Sequence, residues 1–295
     1  MNPHVALVTA RAARDLDEDL PPLERALHEA GAQLAIAAWD DPEVDWARFD
    51  LALLRSTWDY SQRLPEFLDW AQRISHRVRL LNPFDVVRWN TDKHYLGELA
   101  RAGVPVVPST FVEPGEDAEP ALTAFLEAHP DAEDFVVKPC IGAGSRDAQR
   151  HGRAERVAAI AHVRRLLDAR RSVLLQPYLP CVDTEGETAL LFFDGEFSHA
   201  IRKGPLLQRN AEATRALFAA EHITPRRPSD DEIDVARRAL AAMPFAQPLL
   251  YARVDLIRGD DSPRLLELEL TEPSVFLAHA DGAAERFAAA ILRLA

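Results

Sequence analysis

Apolar and polar residues alternate most strictly late in the 295-residue chain, over residues 251–257 and 265–270. Alternation sends successive side chains to opposite faces of a strand. Tyr251, Arg253 and Asp255 therefore share one face of the first segment, and Glu267 and Glu269 share one face of the second, backed by leucines. The polar turn between them, with Gly-Asp-Asp-Ser-Pro at 259–263, predicts an antiparallel hairpin that brings Asp255 close to both glutamates. Carboxylates at such range repel unless a cation joins them or one takes a proton. Oxygen ligands of this kind, beside a phosphate, suit Mg²⁺.

Earlier in the chain the pattern is that of an α/β sheet. Short apolar runs at 5–8, 34–39, 49–54 and 78–81 read as strands, and amphipathic stretches at 20–30 and 64–75 as helices. Pro21 and Pro22 open the first helix and Gly31 closes it. Strands separated by helical spacers predict a small parallel sheet. Its third strand runs into Arg55-Ser56-Thr57-Trp58-Asp59-Tyr60, at the carboxyl end of a strand, where open α/β sheets bind ligands. A guanidinium there can hold a substrate carboxylate through two hydrogen bonds. Alternatively, Arg55 caps the following helix and the aromatic residues pack against it.

A second unit begins near Thr91, with a helix from Asp92 that Gly103 ends. Helices are also predicted at 121–128, 153–171, 211–221, 230–242 and 283–294. A strand at 135–137 delivers Lys138 directly into a loop containing Gly142 and Gly144. Glycines let the backbone approach a ligand closely, and loops of this kind can cup phosphate with N–H groups beside a lysine. The strand 172–176 leads into Gln176-Pro177-Tyr178-Leu179. Backbone groups beside a proline are partly released from sheet pairing and can hydrogen-bond a flat heterocycle. An acidic loop at 183–187 precedes strands at 188–193 and 196–202, joined by Asp194-Gly195, and Lys203 ends the second.

Composition narrows the partners. The chain is 47% hydrophobic and 27% charged, an ordinary globular balance, and its net charge is −13. Without a Lys/Arg block, that charge disfavours nucleic acid. No apolar run approaches bilayer length. The two cysteines, Cys140 and Cys181, lack zinc-type spacing and cannot build a disulfide framework, so a soluble protein of the reducing cytoplasm is expected.

In order and spacing these pieces resemble the ATP-grasp superfamily of carboxylate–amine ligases over roughly residues 91–273. The matching positions are Lys93, Lys138 with Gly142 and Gly144, the hinge from Gln176 to Leu179, Glu187 or Asp183, and Arg253-x-Asp255 followed by Glu267-x-Glu269. Where the family usually has asparagine, this chain has Glu269, so Glu267, Glu269 and Glu272 all stand as candidate ligands. The resemblance implies an ATP-grasp fold of the α/β class. An N-terminal α/β domain (1–90) would precede two α+β subdomains (91–178 and 179–295) that enclose the nucleotide. ATP and Mg²⁺ are the implied cofactors. Lys93 and Lys138 would neutralise phosphate, the hinge would read adenine, and Glu187 would hold the ribose. Asp255, Glu267 and Glu269 would hold Mg²⁺, and Lys203 would contact ATP or an acyl phosphate. Arg253 would stabilise an oxyanion.

The runs 55–60, 89–96 and 186–193 are further similar to the cycloserine-forming subgroup. That likeness implies a small amino-acid-like substrate, O-ureido-D-serine, closed on itself, with Arg55, Ser56, Thr57, Trp58 and Asp59 as its binding loop. Alternatives are an intermolecular dipeptide-type ligase and a nucleotide-binding module without turnover. Many such ligases are homodimers, which this chain would share.

Overall fold

The computed structural model describes residues 2–207, 222–246, 248–259 and 261–295. The helix expected at 211–221 lies outside the described residues. The first apolar runs form β1 (His4–Thr9), β2 (Gln33–Ala38), β3 (Leu51–Ser56) and β4 (Arg79–Leu81), paired in parallel in the order β2-β1-β3-β4. A parallel strand covered on both faces reads as a continuous apolar run, and every residue of β3 is buried. Two helices supply the covers. α1 (Leu20–Glu29) buries Leu20, Leu23, Ala26 and Leu27, and α2 (Leu64–Ser75) buries Phe67, Trp70, Ala71 and Ile74, each set at helical spacing along one face.

The connection to the second unit differs from the single helix expected after Thr91. α3 (Phe84–Asn90) comes first, and the next helix, α4 (Tyr95–Arg101), starts only at Tyr95. Seven residues make a marginal helix by propensity alone. Tertiary bonds hold α3 instead: Asn90 donates to the Leu268 carbonyl at 2.7 Å and accepts from the Leu270 N–H at 2.7 Å.

The central sheet is antiparallel, in the order β5-β8-β6-β7. Its parts are β5 (Thr110–Val112), α5 (Ala118–Ala128), β6 (Asp134–Pro139), β7 (Gln149–Gly152), α6 (Arg156–Asp168) and β8 (Val173–Pro177). Leu122, Phe125, Val163 and Leu166 of the helices pack on Phe135, Val137, Val173 and Leu175 of the strands.

The acidic stretch expected as a loop is instead helical: α7 (Cys181–Glu185) ends at Gly186, whose φ is +72°. A Cβ on Gly186 would lie 2.3 Å from the Lys203 carbonyl oxygen, so only glycine lets β9 start this close to the end of β10. The remaining elements are β9 (Glu187–Phe193), β10 (Glu196–Lys203), β11 (Ile223–Arg226), α8 (Asp230–Ala241), β12 (Tyr251–Arg258) and β13 (Pro263–Glu269). They build an antiparallel sheet in the order β11-β10-β9-β12-β13, with α8 beneath it. The final helix, α9 (Ala283–Arg293), returns to the N-terminal unit. Phe287 stacks on Phe193 at 4.4 Å and shares a core with Leu23 and Leu27 of α1. No helix among the described residues is long and apolar enough to cross a membrane.

Candidate active site

The β12–β13 hairpin sets the charge pattern. Its register pairs Arg253 with Glu269 and Asp255 with Glu267, so the alternation seen in the sequence becomes one charged face. Asp255 is fully buried on that face. Its Oδ1 accepts from Arg253 Nε at 2.9 Å, and its Oδ2 accepts from Arg253 Nη2 at 3.0 Å and Lys203 Nζ at 2.6 Å. Lys203 also meets Glu187 Oε2 at 3.0 Å. Arg253 bonds Glu269 as well, and donates to the Ser274 carbonyl at 3.2 Å. Lys93 pairs with Glu267 Oε1 at 2.8 Å and donates to the Gly142 carbonyl at 2.9 Å.

All of these groups except Asp255, which is buried behind Arg253 and Lys203, line one cleft between the central and C-terminal sheets, with a volume of about 350 Å³. Lys138, Gly142 and Gly144 form one wall, and Gln176, Pro177, Tyr178 and Leu179 another. Glu187, Lys203, Arg253, Glu267, Glu269 and Glu272 line the remainder. Gly144 takes φ +60°, in the left-handed region that favours glycine. Beyond it, Asp147 anchors the loop, accepting from Arg171 at 2.6 Å and Arg165 at 3.2 Å. Among the described residues the Lys138 ammonium has no hydrogen-bond or ion-pair partner, and burial lowers its pKa. A desolvated cation with no protein partner suits an anionic ligand.

The carboxylates differ in what they hold. Burial works against charge on Glu267, but Lys93 and Lys138 outweigh it and bring its pKa to about 2. Arg253 and Lys203 likewise outweigh burial at Asp255, whose pKa is lowered. Glu269 goes the other way. Burial and the crowding of Glu267, Asp255 and Glu272 exceed the help of Arg253 and lift it to about 8. Burial lifts Glu272 to about 7, with Glu267 adding to it. Asp255, Glu267 and Glu269 offer only oxygen donors, which suits Mg²⁺. Glu269 has the most to gain from a divalent cation.

The loop after β3 is placed differently from the sequence expectation. Arg55, Ser56 and Thr57 are fully buried and, like Asp59, do not line the cleft. Arg55 Nη1 donates to the Pro273 carbonyl at 3.1 Å, and Nη2 reaches Asp19 Oδ2 at 3.4 Å. Asp17 Oδ2 lies 3.9 Å away. Asp19 in turn accepts from the N–H groups of Val275 (2.6 Å), Phe276 (3.1 Å) and Leu277 (2.7 Å). A guanidinium fully buried in this way and outside the cleft lining does not reach a ligand carboxylate there. Its role becomes that of a clamp on residues 273–277. Asp59 accepts from Trp39 Nε1 at 2.9 Å and from Arg63 at 3.2 Å, deep in the N-terminal core. Trp58 does line the cleft, and its Nε1 donates to the Glu272 carbonyl at 3.4 Å. Asp183, the alternative to Glu187, is exposed and held by Arg150 at 3.0 Å and Tyr178 Oη at 2.6 Å, whereas Glu187 faces the cleft. The clamp role has a measurable consequence. Arg55→Ala leaves Asp17 and Asp19 buried beside no cation and is expected to cost about 3–5 kcal/mol in urea-denaturation stability. A loss below about 1 kcal/mol would contradict the clamp.

Sequence reasoning overlooked Asp17, Asp19 and Phe276, all of which line the cleft. The usable signal was the run Asp15–Asp19 in a turn after β1, a position where parallel sheets bind ligands. A second cluster joins Asp92, His94 and Cys140 within 4.8 Å. Both nitrogens of His94 are already engaged, by Asp92 at 2.6 Å and Glu113 at 2.8 Å, and burial raises the pKa of the Cys140 thiol.

A hinge, a glycine loop behind a lysine, and a carboxylate hairpin facing one cleft define an ATP-grasp enzyme, an ATP-dependent ligase that forms C–N bonds. The chain belongs to the D-cycloserine synthetase family. The family described as "D-cycloserine synthetase DcsG, N-terminal domain" matches residues 5–82. The chain is 44% identical over 292 residues to the cycloserine biosynthesis protein DcsG of Streptomyces lavendulae, covering 97% of both. The crystal structure of D-cycloserine synthetase DcsG superposes with a TM-score of 0.93 at 43% identity, covering 99% of each chain. D-alanine–D-alanine ligase from Bacillus anthracis complexed with ATP shares the fold, with a TM-score of 0.67 at 16% identity, covering 100% of this chain and 98% of the other.

Proposed function

We propose that the enzyme uses ATP to activate the carboxylate of O-ureido-D-serine and closes it into D-cycloserine. The observation that carries the substrate is the 44% identity to a cycloserine biosynthesis protein along 97% of both chains. Support for the chemistry comes from the cleft, where lysines lie opposite a carboxylate hairpin.

Lys138 and Lys93 balance phosphate charge, and the hinge from Gln176 to Leu179 borders the base. Mg²⁺, held by Asp255, Glu267 and Glu269, would offset charge on the transferring phosphoryl group. A substrate carboxylate oxygen takes the γ-phosphoryl group and ADP leaves. The substrate's own N–O nitrogen then attacks the carbonyl carbon and loses its proton, and phosphate departs with that carboxylate oxygen. Arg253 faces the developing oxyanion. The ring nitrogen of cycloserine is unsubstituted, so the carbamoyl group must also leave by hydrolysis: water gives a hydrogen to the ring nitrogen and its hydroxyl to the carbamoyl carbon, which departs as carbamic acid and breaks down to carbon dioxide and ammonia. Intramolecular attack asks the site only to hold one small zwitterion and to exclude water.

ADP release tests the assignment. O-ureido-D-serine alone should support turnover, and D-serine or D-alanine should not. ADP release only when two amino acids are supplied together would instead mark an intermolecular ligase. Background release with every carboxylate would mark a module without turnover.

A further inference from the structure

We propose that Glu272 is the anchor for the α-ammonium group of the substrate and so restricts the enzyme to α-amino acids. The inference deepens the ligase reading and rests on it. Glu272 is 6% exposed and lines the cleft. Among the described residues, its carboxylate accepts no hydrogen bond and joins no ion pair. The acids of the hairpin face each have a cation: Lys93 for Glu267, Arg253 for Glu269, and Arg253 with Lys203 for Asp255. Buried carboxylates are costly unless paired, so the place left beside Glu272 is one for a cation brought in from outside.

The position suits an ammonium bonded one carbon from the reacting carboxylate. Glu272 lies beyond the end of β13, in a segment fixed on both sides. The Ser274 carbonyl accepts from Arg253 at 3.2 Å, and the Pro273 carbonyl accepts from Arg55 at 3.1 Å. Glu272 is therefore held between the guanidinium that faces the reacting carbonyl and the wall supplied by the N-terminal unit. Trp58, whose indole N–H bonds the Glu272 carbonyl, and Tyr60 line the same part of the cleft. Aromatic rings beside a carboxylate favour an organic ammonium. A Mg²⁺ ligand would instead belong with Glu267 and Glu269 on the strand face. Burial raises the proton affinity of Glu272 even though the charges of Arg253, Lys93 and Arg55 act to lower it.

The test pairs a variant with a substrate analogue. Steady-state ADP release is measured for the wild type and Glu272→Gln, with O-ureido-D-serine and with its des-amino analogue, in which hydrogen replaces the α-amino group. The expected result in the wild type is a KM about 30-fold higher for the analogue, typical of losing a desolvated charge pair. Glu272→Gln should raise the KM for the natural substrate by about the same factor. It should leave the analogue unaffected and change the half-saturating ATP and Mg²⁺ concentrations less than about 3-fold. Equal wild-type KM values for substrate and analogue would overturn the proposal without any variant. A Glu272→Gln effect that falls on Mg²⁺ would make Glu272 a metal ligand, and one confined to kcat would make it a proton acceptor. Either result overturns the anchor while leaving the ligase standing. No turnover of the natural substrate by the wild type would bring down the ligase reading and the anchor with it.

Discussion

Glu267→Gln is expected to reduce kcat by about 10²–10³-fold or more, the scale of removing one well-placed electrostatic group from an active site. The substitution keeps shape and removes charge. Two functions are lost together: the ionised partner that Lys93 holds at 2.8 Å, and an oxygen donor for a divalent cation. With a pKa of about 2, Glu267 is ionised throughout the working pH range, so no pH adjustment would restore activity to the variant. The fold should survive, because the glutamine amide oxygen can still accept from Lys93 and the side chain is one-quarter exposed. ADP release and thermal unfolding, measured on the same preparation, separate the two effects. Near-normal turnover would remove Glu267 from the reaction, and a collapsed melting temperature would assign it to the scaffold.

Arg253→Lys should cost about as much in kcat, roughly 10²–10³-fold, for a different reason. The guanidinium simultaneously holds both oxygens of Asp255, Glu269 and the Ser274 carbonyl. A planar fork can do this while lining the cleft. Lysine keeps the charge but not the geometry. Since Lys203 also neutralises Asp255, at 2.6 Å, the variant should remain folded. KM for ATP should change little, because the base and phosphates meet other residues. A kcat within about 3-fold of wild type would leave Arg253 a purely structural role.

The charged hairpin was legible because strand alternation is a strong local rule. Once residues 251–257 and 265–270 are read as strands, the common face of Arg253, Asp255, Glu267 and Glu269 follows. The rule stops at Glu269, where β13 ends, so nothing in the spacing said that Glu272 would line the cleft. The loop after β3 failed for another reason. Arg-Ser-Thr-Trp-Asp looks alike whether it faces solvent or core. What decides is Asp19, which lies 36 residues before Arg55 and also grips the N–H groups of residues 275–277. A contact between the two ends of the chain leaves no local trace. Helix α3 was missed similarly, because its Asn90 is satisfied by β13 rather than by its own turn.

Ring closure depends on a carboxylate being activated by phosphoryl transfer and then attacked from within the same molecule. The direct test labels both carboxylate oxygens of O-ureido-D-serine with oxygen-18 and supplies ATP without any second amine. The expected result is one labelled oxygen in each inorganic phosphate and one retained in the ring carbonyl of the product. Unlabelled phosphate, with ADP formed at the same rate, would contradict it, because ATP would then be spent on water.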